Sequence, residues 1–107
     1  MSLDVTLTAL RPTEVFEYNI THNLTCMADE AGLYQAIWQP EELGAATARD
    51  LIGFLVAGLA RLRERPDYYR TFNPSNGWGD YEGLVKFAET YLAACRAYPD
   101  AMVNANR

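Results

Sequence analysis

Polar and apolar residues alternate along the N-terminal part of the chain. Leu3, Val5, Leu7 and Ala9 stand against Asp4, Thr6 and Thr8, the period of two that turns one face of a strand to a core and the other to water. Arg11-Pro12-Thr13 interrupts this, and it resumes from Glu14 with Phe16, Tyr18 and Ile20 on one side and Val15, Glu17 and Asn19 on the other. Two such runs about a proline-containing turn predict an antiparallel hairpin. From Thr21 or His22 the spacing changes to that of a helix, with Leu24, Met27, Ala28 and Ala31 at i, i+3, i+4, i+7 and Gly32 loosening its end. Leu33–Trp38 fits either a last helical turn or a short extended run. Pro40 to Leu43 fits a single turn opened by proline and closed by Gly44.

The clearest helix runs from Thr47 to Arg65. Ala48, Leu51, Ile52, Leu55, Leu59 and Leu62 form its apolar stripe, and Thr47-x-x-Asp50 makes a capping box with aspartate in place of glutamate. Arg61, Arg63 and Arg65 suit the negative end of its dipole, and Pro66 stops it. Gly53 and Gly58 each cost about 1 kcal/mol relative to alanine in a helix interior, so they point to close approach or to simple tolerance. Asp67–Phe72 predicts one more turn. A last helix starts at a capping Asp80 and carries Tyr81, Leu84, Val85, Ala88, Tyr91, Leu92, Cys95 and Tyr98 on one face, with Glu82 and Lys86 at i, i+4 on the other. Ala101 to Asn106 alternates weakly and predicts a strand added to the hairpin. The sum is a single α+β domain over residues 1–107: a small antiparallel sheet, made of the N-terminal hairpin plus a C-terminal strand, packed by about three helices.

Composition narrows the function. The chain has 107 residues, half of them hydrophobic, and a net charge of −5. That suits one packed core and disfavours a nucleic-acid duplex or an anionic membrane as partner. The N-terminus shows neither a basic nor an apolar leader segment, and no apolar run approaches the ~20 residues of a membrane helix. The expected location is the cytoplasm, so the triplets Asn19-Ile20-Thr21 and Asn23-Leu24-Thr25 are coincidental matches to a glycosylation pattern. Cys26 and Cys95 lie far apart without a CxxC spacing and are expected to be free, buried thiols.

Chemistry gathers in two stretches. Asn19-Ile20-Thr21-His22-Asn23 marks the strand-to-helix junction, where a helix start presents unpaired N–H groups; Thr21 or Asn23 would cap it, and His22 would bond locally or touch a ligand. His22, Cys26 and Asp29 share a helical face but make a poor metal set, and Cys26 as a nucleophile lacks a recognisable oxyanion hole. The second stretch, Thr71 to Leu84, sets Trp78 between Gly77 and Gly79 beside Asn73 and Asn76. An indole so placed either plugs the core or serves as a stacking platform. Asp80 and Glu82 at the following helix start repel phosphate, so a ring stacked on Trp78 fits better than a phosphate seat. Any phosphate would have to meet Arg61, Arg63, Arg65 or Arg70. The aromatic surplus, including Trp38, Tyr68 and Tyr69, adds weight to an interface or pocket.

Four segments together, Tyr18-Asn19-Ile20-Thr21-His22-Asn23-Leu24, Trp38-Gln39-Pro40-Glu41-Glu42, Phe72-Asn73-Pro74-Ser75-Asn76-Gly77-Trp78-Gly79-Asp80-Tyr81-Glu82-Gly83-Leu84-Val85 and Tyr91-Leu92-Ala93-Ala94-Cys95-Arg96-Ala97-Tyr98-Pro99-Asp100-Ala101, resemble a family of small proteins encoded by actinobacteria, phages and mobile elements. The resemblance runs from about residue 16 to the end and leaves out the first strand. Cys26 departs from the family pattern, which weakens the metal and thiol readings. The resemblance implies a setting, phage and mobile DNA, in which counter-defence is a reasonable conjecture, and implies no reaction.

The leading expectation is a non-enzymatic protein that holds a small polar or nucleotide-like ligand without a cofactor or metal, as an oligomer of identical chains. Its ligand residues would be Asn19, Thr21, His22, Asn23, Arg70, Asn73, Asn76, Trp78 and Tyr81. A second expectation is a structural or interaction module that docks on a host protein through the Trp78 loop. A third, a hydrolase, requires His22 to meet Glu82 or Asp80 within hydrogen-bond reach.

Overall fold

The computed structural model describes residues 1–9 and 14–107. Strands β1 (Ser2–Thr8) and β2 (Glu14–Thr21) pair antiparallel as the alternation predicts, with Leu3 opposite Ile20 and Asp4 opposite Asn19. The turn expected at Arg11-Pro12-Thr13, with Leu10 before it, lies outside the described residues. From the far end of the chain, β3 (Met102–Asn106) pairs antiparallel with β1, so the sheet order is β2-β1-β3 and the N-terminal strand is central. Leu3, Val5 and Leu7 are accordingly fully buried, each worth roughly 1.5–3 kcal/mol of apolar transfer. The opposite face stays polar, with Asp4 flanked by Asn19 and Asn106, and Thr6 by Glu17 and Asn104.

A turn of 3-10 helix (His22–Leu24) leads into α1 (Thr25–Glu30), and Leu24, Met27, Ala28 and Ala31 are buried as their spacing requires. Leu33–Trp38 resolves as helix: α2 (Tyr34–Trp38) buries Ala36, Ile37 and Trp38. A second 3-10 turn (Pro40–Leu43) ends at Gly44, whose φ of 70° is the left-handed closing conformation. The two long helices are α3 (Arg49–Glu64) and α5 (Tyr81–Ala97), joined through the short α4 (Pro66–Arg70) and the glycine-rich loop. Tyr81 at the start of α5 donates its hydroxyl to the Leu62 carbonyl near the end of α3 at 2.7 Å. Past the other end of α5, the Pro99 carbonyl accepts from the Arg49 amide at 2.9 Å. The helices therefore run in opposite directions. Of the expected capping box only the acidic half forms: the Asp50 carboxylate accepts from the Ala46 and Thr47 amides at 3.0 and 3.1 Å, while the Thr47 hydroxyl donates to that carboxylate and accepts nothing from the helix.

The aromatic face of β2 locks onto α5. The ring centroids of Phe16 and Tyr91 lie 6.0 Å apart, and those of Tyr18 and Phe87 lie 5.3 Å apart, both pairs stacked. Glu82, expected to pair with Lys86, instead reaches Arg70 at 2.9 Å, because α4 lies alongside the first turn of α5. Cys95 is buried as expected, and burial pushes its thiol pKa up to about 12. Cys26 is exposed, a correction with a simple cause: Leu24, Met27 and Ala28 own the inner face of α1, and Cys26 falls between them on the outer one. Among the described residues, no helix is long and apolar enough to cross a membrane.

Candidate functional site

The backbone leaves β2 at Thr21, which serves as N-cap of the helical turn that follows. Its hydroxyl oxygen accepts from the Asn23 amide at 3.2 Å and from Asn23 Nδ2 at 3.0 Å. One strand position earlier on the same face, Asn19 Nδ2 donates to Asp4 Oδ1 at 2.7 Å and to Ser2 Oγ at 2.8 Å. The junction thus presents a row of amide and hydroxyl groups held to one another and to the central strand.

The glycine-rich loop lies across this row. Asn76 Oδ1 accepts from the Trp78 amide at 2.9 Å, an Asx turn that shapes the loop tip. Asn76 Nδ2 donates to Asn23 Oδ1 at 3.3 Å, tying together residues 53 positions apart. Gly79 makes the approach feasible. Its φ is +103°, and a Cβ there would sit 2.8 Å from Thr21 Cγ2 and 3.0 Å from Leu24 Cγ, closer than packed carbons allow. The bare backbone at Gly79 rests directly on the junction.

Between junction and loop lies a cleft of about 520 Å³, lined by Ser2, Asn19, Thr21, Asn23, Asn76 and Trp78, with Met1 at its edge. Trp78 is 69% exposed, which excludes the core-plug alternative and leaves its ring free for stacking. The buried tryptophan is Trp38, at 1%. Its place in the core removes it from the aromatic surplus that gave weight to an interface or pocket.

Of the residues singled out in the sequence, five therefore meet in one cleft: Asn19, Thr21, Asn23, Asn76 and Trp78. Four do not line it. His22 turns toward the core, its ring centroid 6.4 Å from that of Trp38, and its Nε2 is buried without a hydrogen-bond partner among the described residues. Asn73 Oδ1 accepts from the Tyr81 amide at 2.8 Å and so helps to start α5. Tyr81 is buried, and Arg70 lies over its ring at 4.8 Å while pairing with Asp67 and Glu82. That hydrogen bond to Arg70 holds the Glu82 carboxyl below its usual range and the guanidinium above its own.

The remaining arginines named for a phosphate are engaged elsewhere. Arg61 donates to the Ala31 carbonyl at 2.9 Å, Arg63 pairs with Glu89, and Arg65 lies 4.1 Å from the centre of the Tyr68 ring. Asp80 Oδ1 caps α5 by accepting from the Gly83 amide at 2.7 Å, and Glu82 is committed to Arg70. Neither is hydrogen-bonded to His22 Nε2. Among the described residues, no three of His, Cys, Asp and Glu converge where they could hold a metal ion.

Ser2 is the cleft residue that sequence reasoning passed over. The signal for it was present, since the inward phase of Leu3 and Val5 puts Ser2 and Asp4 on the polar face. Placing Ser2 beside Thr21 also needs the hairpin register, which depends on a turn whose length the alternation does not define. A second, shallower cleft of about 310 Å³ is lined by Thr25, Cys26, Asp29 and Tyr34. Compared with models of known protein families, with curated proteins and with solved structures, the chain matches none.

Proposed function

We propose that this chain is a binding protein for a small, polar, uncharged ring ligand of the nucleoside kind, held against Trp78 in the cleft between the junction and the glycine-rich loop. One observation carries the reading. Side chains from two stretches far apart in sequence, Asn19, Thr21 and Asn23 on one side and Asn76 and Trp78 on the other, line a single cleft. Its volume falls within the range of small-molecule sites. An exposed indole offers a planar apolar face, and stacking a base on such a face is worth about 1–3 kcal/mol.

The lining also speaks for binding over turnover. Amides and hydroxyls orient a ligand by donating and accepting hydrogen bonds, but they do not exchange protons near neutral pH as a general acid or base must. The carboxylates named for catalysis, Asp80 and Glu82, are occupied as a helix cap and an ion pair. Among the described residues, no lysine or arginine side chain lines the cleft, which favours a neutral ring over a phosphate. In the phage and mobile-element setting that the sequence resemblance implies, such a protein would act by sequestering its ligand.

Thermal shift and calorimetric titration against nucleosides, nucleotides and cyclic nucleotides test this reading. A ligand present at about 100 times its Kd adds about 2.7 kcal/mol of stability, a rise of about 10 °C or more for a domain of this size. Silence across the whole panel would sink it. A second reading, docking of a host protein on the loop, draws on the same exposed Trp78. The two separate cleanly: ring binding is lost in both Trp78→Ala and Asn23→Ala, whereas docking through the loop tip is lost in Trp78→Ala alone.

A further inference from the structure

From Ile52 to Ala60, α3 carries no charged residue, a run of about two and a half turns. Leu55, Gly58 and Leu59 take up its inner side. The rest looks outward: Gly53, Phe54, Val56 and Ala60 are exposed, Ile52 and Ala57 half-buried. Phe54 and Val56 are each 42% exposed. The neighbouring α5 is built differently, with Glu82, Lys86, Glu89 and Arg96 along its exposed side. A helix that is apolar all round is ordinarily covered all round. Among the described residues, nothing covers the outward face of α3.

The order of residues along that face is self-complementary. At the pitch of an α-helix, Arg49, Gly53, Val56, Ala57, Ala60 and Glu64 fall within about 100° of one another, opposite the buried Leu51, Leu55 and Leu62. The stripe begins with a cation, ends with an anion and is apolar between. A second copy turned end for end presents the same stripe in reverse, so each charge meets its opposite. From this pattern we infer that α3 packs antiparallel against α3 of a second copy of this chain, across a two-fold axis that passes between Val56 and Ala57. Arg49 then meets Glu64 of the other copy at both ends, Gly53 meets Ala60, and Val56 and Ala57 each lie against their own counterparts. Parallel packing would set Arg49 on Arg49 and Glu64 on Glu64.

Both charges are available for this. Arg49 pairs with Asp100 at 2.8 Å, but both side chains are exposed, and a guanidinium has donors left for a second carboxylate. Glu64 is exposed and forms no ion pair among the described residues. The small side chains at 53, 57 and 60 let the helix axes approach to about 8 Å, the near end of the usual range. A contact one helix long, about 24 Å, stays below the roughly 1,200 Å² at the low end of stable interfaces. The dimer therefore dissociates readily, with a Kd on the order of micromolar or weaker. The Trp78 cleft has no lining residue on α3, so this surface is independent of ring binding.

Sedimentation velocity of the full chain from about 1 µM to about 1 mM brackets such a Kd. The parent chain is expected to pass from monomer to dimer across that range. Val56→Glu sets two carboxylates together at the axis and should leave only monomer, with the far-ultraviolet circular dichroism unchanged. The charges test the direction of packing. Arg49→Glu and Glu64→Arg each turn two attractions into repulsions and should weaken the dimer by about 5–30-fold. The double variant restores both pairs in reverse and should dimerise like the parent. A chain that stays monomeric at the top of the range overturns the proposal and leaves the face to a different protein. A dimer that tolerates Val56→Glu overturns it as well, because the contact then lies elsewhere. A double variant as weak as the single ones overturns the antiparallel pairing.

Discussion

Trp38 and Trp78 are the same side chain in opposite surroundings, 1% and 69% exposed. Trp38 ends α2, stacks on Tyr34 at 5.8 Å and sits in the apolar cluster that includes Leu33, Ile37 and Leu3. Trp78 sits at a loop tip whose Asx turn and two positive-φ glycines, Gly77 and Gly79, hold it out over the cleft. Truncating each should therefore do different things. Trp38→Ala is expected to cost about 3–5 kcal/mol, the usual toll of emptying a buried aromatic site, and so much of the stability of a small domain. Trp78→Ala should change stability by no more than about 0.5 kcal/mol, as exposed positions do. Urea unfolding followed by circular dichroism measures both. Equal losses would mean that the loop tip is part of the core after all, and the stacking platform would go with it.

The longer an element and the more regular its pattern, the more of it could be read in advance. The stripes of α3 and α5 bury most of the residues their spacing names, although Ile52 and Val85 are half-buried and Tyr98, past the end of α5, is exposed, and both chain ends enter one sheet as their alternation predicts. Short elements resisted because one turn holds too few positions to define a period: Leu33–Trp38 was open between helix and strand, and only its packing made it α2. The cleft was half legible. Asparagines and a glycine-flanked tryptophan announce polar, exposed junctions, but which of them meet is a tertiary fact. Asn73 and Tyr81 look like ligand groups in sequence and are spent on starting α5. Glycines show the same limit within one helix. Gly58 is buried, and a Cβ there would fall 2.1 Å from Leu33 Cδ2, while a Cβ on Gly53 would meet nothing within 4 Å. Opposite outcomes are expected on substitution by alanine. Gly53→Ala should stabilise by up to about 1 kcal/mol through helix propensity. Gly58→Ala should destabilise by about 1–3 kcal/mol, because Leu33 is itself fully buried and has to be displaced. Denaturant midpoints of the two variants, at unchanged slope, decide the point; a stabilising Gly58→Ala would show that α2 can move away from α3 at little cost.

Two carboxylates tie separate elements of the molecule together and a third closes the head of α3, and that gives its stability a direction in pH. Glu41 accepts from Arg107 at 2.7 Å, joining the helical turn after α2 to the residue that follows β3. Asp50 accepts from the Thr47 and Ala46 amides at the head of α3, and Glu82 accepts from Arg70 to hold α4 against α5. Each pKa lies below its ordinary value: that of Glu41 chiefly through the Arg107 hydrogen bond, that of Asp50 through the Thr47 and Ala46 amides, and that of Glu82 through Arg70. A carboxyl group with a lowered folded-state pKa binds protons more readily when the chain is unfolded. Its contribution is thus complete above the ordinary carboxylate range, near pH 4 to 4.5, and disappears as pH falls through the lower folded-state values. All three groups are exposed, so each contribution is modest and weakens with added salt. The melting temperature of a triple variant, Glu41→Gln, Asp50→Asn and Glu82→Gln, should lie below that of the parent at pH 7. The gap should close as both are taken to pH 3, where the parent's carboxylates are protonated too. The titration of the other 11 acidic residues is common to both chains and cancels in the difference, since 14 are present and three are replaced. A gap that stays constant from pH 7 to pH 3 would mean that the three side chains act by shape and not by charge.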